Sequence, residues 1–141
     1  MTSESVRVVF HLEPNPLLIG VVRGAVQFQA LQAGFITETC AEIASASEDV
    51  CRETLSQLTE ADGGLDVTLD TFADRFEVSF LHRGQMAPAV GLETFMFGDV
   101  AAGGAGGING LQLLSRVDRV LYDTEEGKVR TTLVKFLKSP R

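Results

Sequence analysis

A glycine-dense segment that leads into a short apolar stretch has the clearest chemical potential in this chain. It spans residues 103–110 and continues into the apolar residues 111–114. Glycines allow a backbone to approach a ligand closely, and the first turn of a helix offers unpaired N–H groups to an anion. The segment therefore predicts a phosphate site with a mobile lid. The same composition also fits a flexible linker between two packed elements.

The composition is that of a globular protein with one core. The chain has 141 residues, of which 45% are hydrophobic and 22% charged, and its formal net charge is −7. We expect a single domain over residues 1–141. An acidic surface repels phosphate backbones, so nucleic acid is not an expected partner.

Targeting signals and cysteine usage both indicate the cytoplasm. No apolar run approaches the roughly 20 residues of a membrane span, and no secretory signal is visible. Cys40 and Cys51 lie within one predicted helix, too far apart along its axis to form a disulfide. Neither His11 nor His82 has a ligand spacing to the cysteines, so no metal site is expected.

Hydrophobic periodicity and turn residues define the order of the elements. We predict strands at 5–13, 65–72, 75–81, 119–122 and 130–137, and helices from Asn15-Pro16 to Gly34, from a Thr37 cap to the turn at 62–64, and at 108–116. Residues 83–107 form a long loop, which we expect to act as a lid. Two helices with apolar stripes on a largely antiparallel sheet predict a two-layer α/β sandwich, with a mixed, mostly antiparallel sheet and the helices on one face.

Several positions in this order resemble the histidine-kinase-like (GHKL) ATPases, most closely the anti-sigma-factor serine kinases of bacterial stress and sporulation switches. The matching residues are Ala46-Ser47-Glu48, Phe80-Leu81-His82-Arg83-Gly84, the segment 106–122 with Asp118 and Val120, and Arg23 on the first helix. The resemblance covers nearly the whole chain in order and spacing. It implies the histidine-kinase-like ATPase fold, and ATP and Mg²⁺ as the ligands of an active member.

The resemblance also assigns roles by position. Glu48 would be the general base, Arg52 stands where the family has its Mg²⁺-binding asparagine, and His82 stands where an aspartate reads adenine. The implied cofactor-binding residues are Arg52, His82, Gly84, Gly104, Gly106, Gly107 and Gly110.

Two of these positions depart from the family pattern. Arg52 has no lone pair to offer a metal, and at i+4 from Glu48 it favours an ion pair that lowers the basicity of that carboxylate. A phosphate contact that stands in for the charge of the metal is an alternative for Arg52. His82 can accept one hydrogen bond but loses the fit of a carboxylate to adenine. Loss of such a buried polar match costs about 1–3 kcal/mol.

These observations favour a bacterial regulator of the anti-sigma-factor type that binds other proteins and has weak or lost ATP binding. The resemblance implies a sigma factor or an anti-sigma antagonist as partner, and a homodimer through residues 5–32. The alternative is an active ATP-dependent serine kinase that phosphorylates the antagonist. A third class is a small-molecule sensor that reuses the emptied pocket.

Overall fold

A five-stranded sheet with two long helices on one face forms the part of the chain that the structure describes. The computed structural model describes residues 5–84 and 110–137. Its strands are β1 (Val6–Leu12), β2 (Leu65–Thr71), β3 (Arg75–Arg83), β4 (Arg119–Glu125) and β5 (Lys128–Phe136), and its helices are α1 (Ile19–Ala33), α2 (Thr37–Gln57) and α3 (Gly110–Leu114). The strand order is β1-β2-β3-β5-β4, and each of these pairs is antiparallel. The predicted two-layer sandwich is confirmed.

The first helix begins and ends where its sequence signals predict. Asn15 Oδ1 accepts a hydrogen bond from the Leu17 N–H at 2.9 Å, and a 3₁₀ turn (Pro16–Leu18) leads into α1. The helix ends at Gly34, whose φ of +110° lies in the left-handed region that favours glycine. The predicted cap of α2 is wrong. Ile36 is the extended residue before the helix, and Thr37 is its first helical residue with no capping side-chain bond.

Alternation along β2 decides which face of the sheet is covered. Leu65, Val67 and Leu69 are fully buried, whereas Asp66 and Thr68 between them are half-buried. Because successive side chains of a strand point to opposite faces, the first set lies under the helices. The core there includes Val22 and Val26 of α1, Ile43 and Val50 of α2, and Phe76 and Phe80 of β3.

The C-terminal hairpin is longer than its sequence predicts. Both strands extend to a tight turn in which Glu126 and Gly127 have φ of 52° and 78°. Two consecutive residues with positive φ match the twist of the flanking strands, so pairing continues to the turn. The predicted lid at 83–107 lies outside the described residues except for Arg83, which ends β3, and Gly84. In the described ranges, no helix combines the length and apolar character needed to cross a membrane.

Candidate functional site

Glu48, the predicted base, lies on α2 between two arginines. Its Oε2 accepts a hydrogen bond from Arg52 Nη2 at 2.7 Å, one turn further along the helix. Its Oε1 accepts another from Arg23 Nη1 of α1. The structure therefore brings Glu48 and Arg52 together, as their spacing predicts, and joins α1 to α2 through the same carboxylate.

The two arginines determine the proton affinity of Glu48. Hydrogen bonds from Arg52 and then from Arg23 hold the pKa of Glu48 below its usual value. A general base needs a pKa close to the working pH, and each of these bonds moves the carboxylate away from it. Glu48 in this arrangement is a fixed anion that holds guanidinium groups, and it is poorly suited to abstract a proton.

A second carboxylate on α2, that of Asp49, extends the cluster of charges to Arg116. Asp49 Oδ1 lies 3.5 Å from Arg52 Nη1, and its Oδ2 lies 3.0 Å from Arg116 Nη2. Arg116, just after α3, also donates from Nη1 to Ser45 Oγ at 2.8 Å. Sequence reasoning missed Arg116 as a site residue because its partners are far away along the chain. The i,i+3 spacing of Asp49 and Arg52 was the available signal for Asp49.

The residues at this cluster do not fit Mg²⁺. Arginine offers five donors and no acceptor, so Arg52 cannot ligate a metal. The neighbouring carboxylates of Glu48 and Asp49 both face guanidinium groups. Within the described ranges, no group of three or more His, Cys, Asp or Glu side chains is placed to hold a metal ion.

His82 lies at a different place from Glu48. It is 7% exposed at the end of β3, and its Nδ1 donates to the Arg83 carbonyl oxygen at 2.9 Å. Gly84 follows, and its N–H donates to the Gly127 carbonyl at 3.2 Å. His82 and Gly84, two of the predicted site residues, therefore lie together at the end of β3. Neither residue forms a hydrogen bond or an ion pair with Glu48 or Arg52.

A cavity of about 370 Å³ lies at the end of the sheet that contains His82. Its described lining residues come from the ends of β1 and β3, the turn before β2, and the starts of β2 and β5. They are His11, Ala61, Asp62, Gly63, Gly64, Asp66, Leu81, His82, Arg83 and Lys128. The sequence-predicted site is thus divided between the charge cluster of the helical layer and this cavity.

The glycine-rich segment contributes one described residue. Gly110 is the first residue of α3, while Gly104, Gly106 and Gly107 lie outside the described residues. The phosphate-site interpretation of this segment therefore stays a prediction.

The remaining side chains that could do chemistry occupy positions within the fold itself; they are Asp118, Tyr122, Cys40 and Cys51. Asp118 Oδ2 accepts a hydrogen bond from the Phe136 N–H at 2.7 Å and so holds β5 beside the start of β4. Burial raises the pKa of Tyr122 and raises that of Cys51 to about 11. Cys40 and Cys51 are both buried free thiols. Because a thiol is a poor nucleophile while protonated, neither cysteine is suited to covalent chemistry.

Comparison with known proteins identifies the fold through structure alone. No family model matches the sequence, and no curated protein matches it. A structure of the RsbU and RsbW domains of Rv1364c from Mycobacterium tuberculosis superposes with a TM-score of 0.66, at 14% identity over 96% of this chain. This chain spans 34% of the length of that one. The SiaB–SiaC complex from Pseudomonas aeruginosa gives a TM-score of 0.56 at 14% identity, covering 92% of this chain and 89% of the other. At such identities the likeness establishes the fold alone, an α/β sandwich that this chain shares with parts of these two structures.

Proposed function

We propose that this protein is a bacterial regulator of the anti-sigma-factor type that acts by binding other proteins and has weak or lost ATP binding. One observation carries the proposal. Arg52, at the position where the resembled family has its metal-binding asparagine, forms an ion pair with Glu48, the position of the base. The pair removes a metal ligand and lowers the pKa of the base at the same time.

The fold supports the protein-binding part of the proposal. The sequence motifs resemble anti-sigma-factor serine kinases, and one structure with a similar fold is a complex of two proteins, SiaB and SiaC. We therefore propose a sigma factor or an anti-sigma antagonist as the partner, and the cytoplasm as the site of action.

The outer face of α1 supports a homodimer. Three residues of α1 (Val21, Phe28 and Leu31) and Leu17 of the preceding 3₁₀ turn are exposed, and together with Gly24 they are spaced four and three residues apart in alternation. This is the spacing of a seam between two helices. An exposed apolar stripe of this kind marks an interaction surface.

Two glycines of α1 indicate what covers that face. A Cβ at Gly20 or Gly24 meets nothing within 4 Å, so packing within the described chain does not require either glycine. Each costs about 1 kcal/mol of helix stability relative to alanine. Small residues four apart let another backbone approach closely. Because the only charged side chain of α1, Arg23, is bonded to Glu48, the face is uncharged and complementary to itself across a two-fold axis. We propose that a second copy of this chain covers it.

Titration calorimetry with ATP, with and without Mg²⁺, tests the nucleotide part of the proposal. We expect no Mg²⁺-dependent heat of binding at about millimolar ATP, which corresponds to less than about 4 kcal/mol of metal-dependent binding free energy. Micromolar binding that depends on Mg²⁺ would overturn the proposal and support the alternative, an active ATP-dependent serine kinase. That kinase would use Glu48 as base.

A double change tests whether the two family positions are placed correctly. Arg52→Asn together with His82→Asp restores the residue types of the family at both positions. We expect the double variant to bind ATP more tightly than the parent protein in the same titration. Unchanged affinity in a variant with native circular dichroism would mean that these positions are not remnants of a nucleotide site.

A further inference from the structure

The cavity at the end of the sheet is lined by two acidic side chains (Asp62 and Asp66), by Arg83 and Lys128, and by two histidines. His11 and Asp66 face each other across β1 and β2, with 2.7 Å between Nδ1 and Oδ1. That hydrogen bond raises the pKa of His11 and engages the Asp66 carboxylate. Asp62 is held within its own turn, where it accepts bonds from the Thr59 N–H at 2.8 Å and the Thr59 hydroxyl at 3.2 Å.

Arg83 and Lys128 are the arginine and the lysine of this lining. They are directly opposite each other in the pairing of β3 with β5, and both are exposed, while Lys128 is also opposite Glu125 in the pairing of β4 with β5. Like charges at directly opposite positions destabilise a sheet. Within the described ranges neither forms an ion pair, although the whole chain has 19 acidic and 12 basic residues.

Arg83 is unusual among the described arginines. Arg7, Arg23, Arg52, Arg75 and Arg116 form ion pairs with carboxylates, Arg119 stacks over the Phe136 ring, and Arg130 also has a partner. Among the described residues, Arg83 therefore has no carboxylate partner beside Lys128. An anion between the guanidinium and the ammonium groups would convert their repulsion into two attractive, charge-assisted contacts.

His82 supplies a second kind of group to the same cavity. A carbonyl oxygen can only accept, so the bond to Arg83 O places the proton of the neutral ring on Nδ1. Its Nε2 is then an acceptor, and no described residue donates to it. A buried side chain, and His82 is only 7% exposed, rarely leaves a polar atom without a hydrogen-bond partner. A ligand hydroxyl or amino group would satisfy it.

We propose that this cavity binds a small phosphorylated molecule, with its phosphate between Arg83 and Lys128 and a hydroxyl or amino group donating to His82 Nε2. The cavity volume of about 370 Å³ lies within the range of small-molecule sites. The site is separate from the Glu48–Arg52 cluster on which the proposed regulatory function rests, so either proposal can fail without the other.

The test is a titration with pyrophosphate at constant ionic strength, followed by the imidazole NMR signals of His82 and by calorimetry. We expect a dissociation constant below about 1 mM and a shift of the His82 signals. Arg83→Gln and Lys128→Gln should each weaken binding about tenfold. Arg119→Gln removes the same charge from the exposed edge strand β4 and should leave the affinity unchanged.

Thermal unfolding separates a binding role from a merely structural one. Pyrophosphate should raise the melting temperature of the parent protein and of Arg119→Gln equally, and should raise that of Arg83→Gln by less. If Arg119→Gln weakened binding as much as Arg83→Gln, the binding would be nonspecific charge attraction and the proposal would be overturned. The absence of binding at about 10 mM pyrophosphate would also overturn it.

Parallel titrations with glucose 6-phosphate and with metal-free ATP distinguish the source of the phosphate. Tighter binding of the sugar phosphate would identify a non-nucleotide metabolite, and tighter binding of ATP would identify a nucleotide. In either case the proposal requires the same dependence on Arg83 and Lys128. ATP binding that depends on Arg52 and not on Arg83 would place the phosphate in the helical layer and overturn it.

Discussion

Glu48 and Arg52 form an ion pair one helical turn apart on α2, with 2.7 Å between Oε2 and Nη2. The same carboxylate accepts a hydrogen bond from Arg23 of α1 and so links the two helices. A kinase of the resembled family would use this charge in catalysis. A local i,i+4 pair of this kind can be foreseen from sequence. Under the proposed function, the carboxylate of Glu48 is paired with the residue at the position where the resembled family has its metal-binding asparagine.

Replacing Arg52 should raise the pKa of Glu48, because the hydrogen bond from Arg52 is the largest cause of its depression. We expect Arg52→Gln to move the pKa toward the ordinary glutamate value and Arg23 to keep it from returning completely. The measurement is a carboxyl NMR titration. Arg116→Gln is the control, because it removes a positive charge from beside Asp49, whereas Arg116 forms no ion pair with Glu48.

The same variant should change stability only slightly. Arg52 is more than half exposed, and solvent screens such pairs, so we expect a loss of about 0.5 kcal/mol or less in urea unfolding. The contribution of Glu48 is present above its unfolded pKa and is lost as the pH falls through its lowered folded pKa. An unchanged Glu48 titration in Arg52→Gln would contradict the geometry of the pair.

His11 and Asp66 should make stability depend on pH in the opposite direction. The hydrogen bond to Asp66 raises the folded pKa of His11 above the ordinary value of 6.5. The stabilisation is therefore complete below about pH 6.5 and is lost as the pH rises through the folded pKa. Melting temperatures of the parent protein and of Asp66→Asn should differ most in acidic buffer and converge in alkaline buffer. A constant difference would argue against the protonated pair.

The fold could be predicted from the sequence to a much greater extent than the site. Alternation in β2 and β3, the Asn15-Pro16 start and the Gly34 stop are local signals, and each has its expected structural counterpart. Arg116 reaches Asp49 and Ser45 only because the residue after α3 lies beside α2, and local periodicity contains no information about that contact. The cavity likewise depends on four strand ends that meet through the sheet register, so its Arg83–Lys128 pair becomes visible only with the strand order.

Gly64 should be far less replaceable than its neighbour Gly63. Both have positive φ, +90° and +86°, so alanine is strained at either position by about 1–2 kcal/mol. At Gly64 an added Cβ would also collide with the Leu12 carbonyl oxygen and lie 2.8 Å from His11 Nε2, whereas at Gly63 it meets nothing within 4 Å.

We therefore expect Gly64→Ala to destabilise the protein by about 1–3 kcal/mol more than Gly63→Ala, because the collision adds the cost of overpacking. Urea unfolding of the two variants gives this difference directly. Gly64→Ala should also lower the His11 pKa, because the ring is displaced from Asp66. Equal free energies of unfolding for the two variants would mean that the turn relaxes without cost.

The proposed α1 dimer makes two predictions of opposite sign for the same residue. Gly24→Ala adds a methyl group where the fold has open space, so the helix should gain up to about 1 kcal/mol of stability within one subunit. The same methyl group should keep a second helix at a distance and weaken the dimer. Phe28→Glu, at a position 61% exposed on the same face, should dissociate it completely.

Sedimentation velocity over a range of protein concentrations measures both effects, with melting at low concentration to report on the single subunit. Leu121→Glu places the same charge on an exposed apolar position of β4 and should leave the dimer intact. A parent protein that stays monomeric at about 100 μM, well above the dissociation constants of stable dimers, would contradict the self-association.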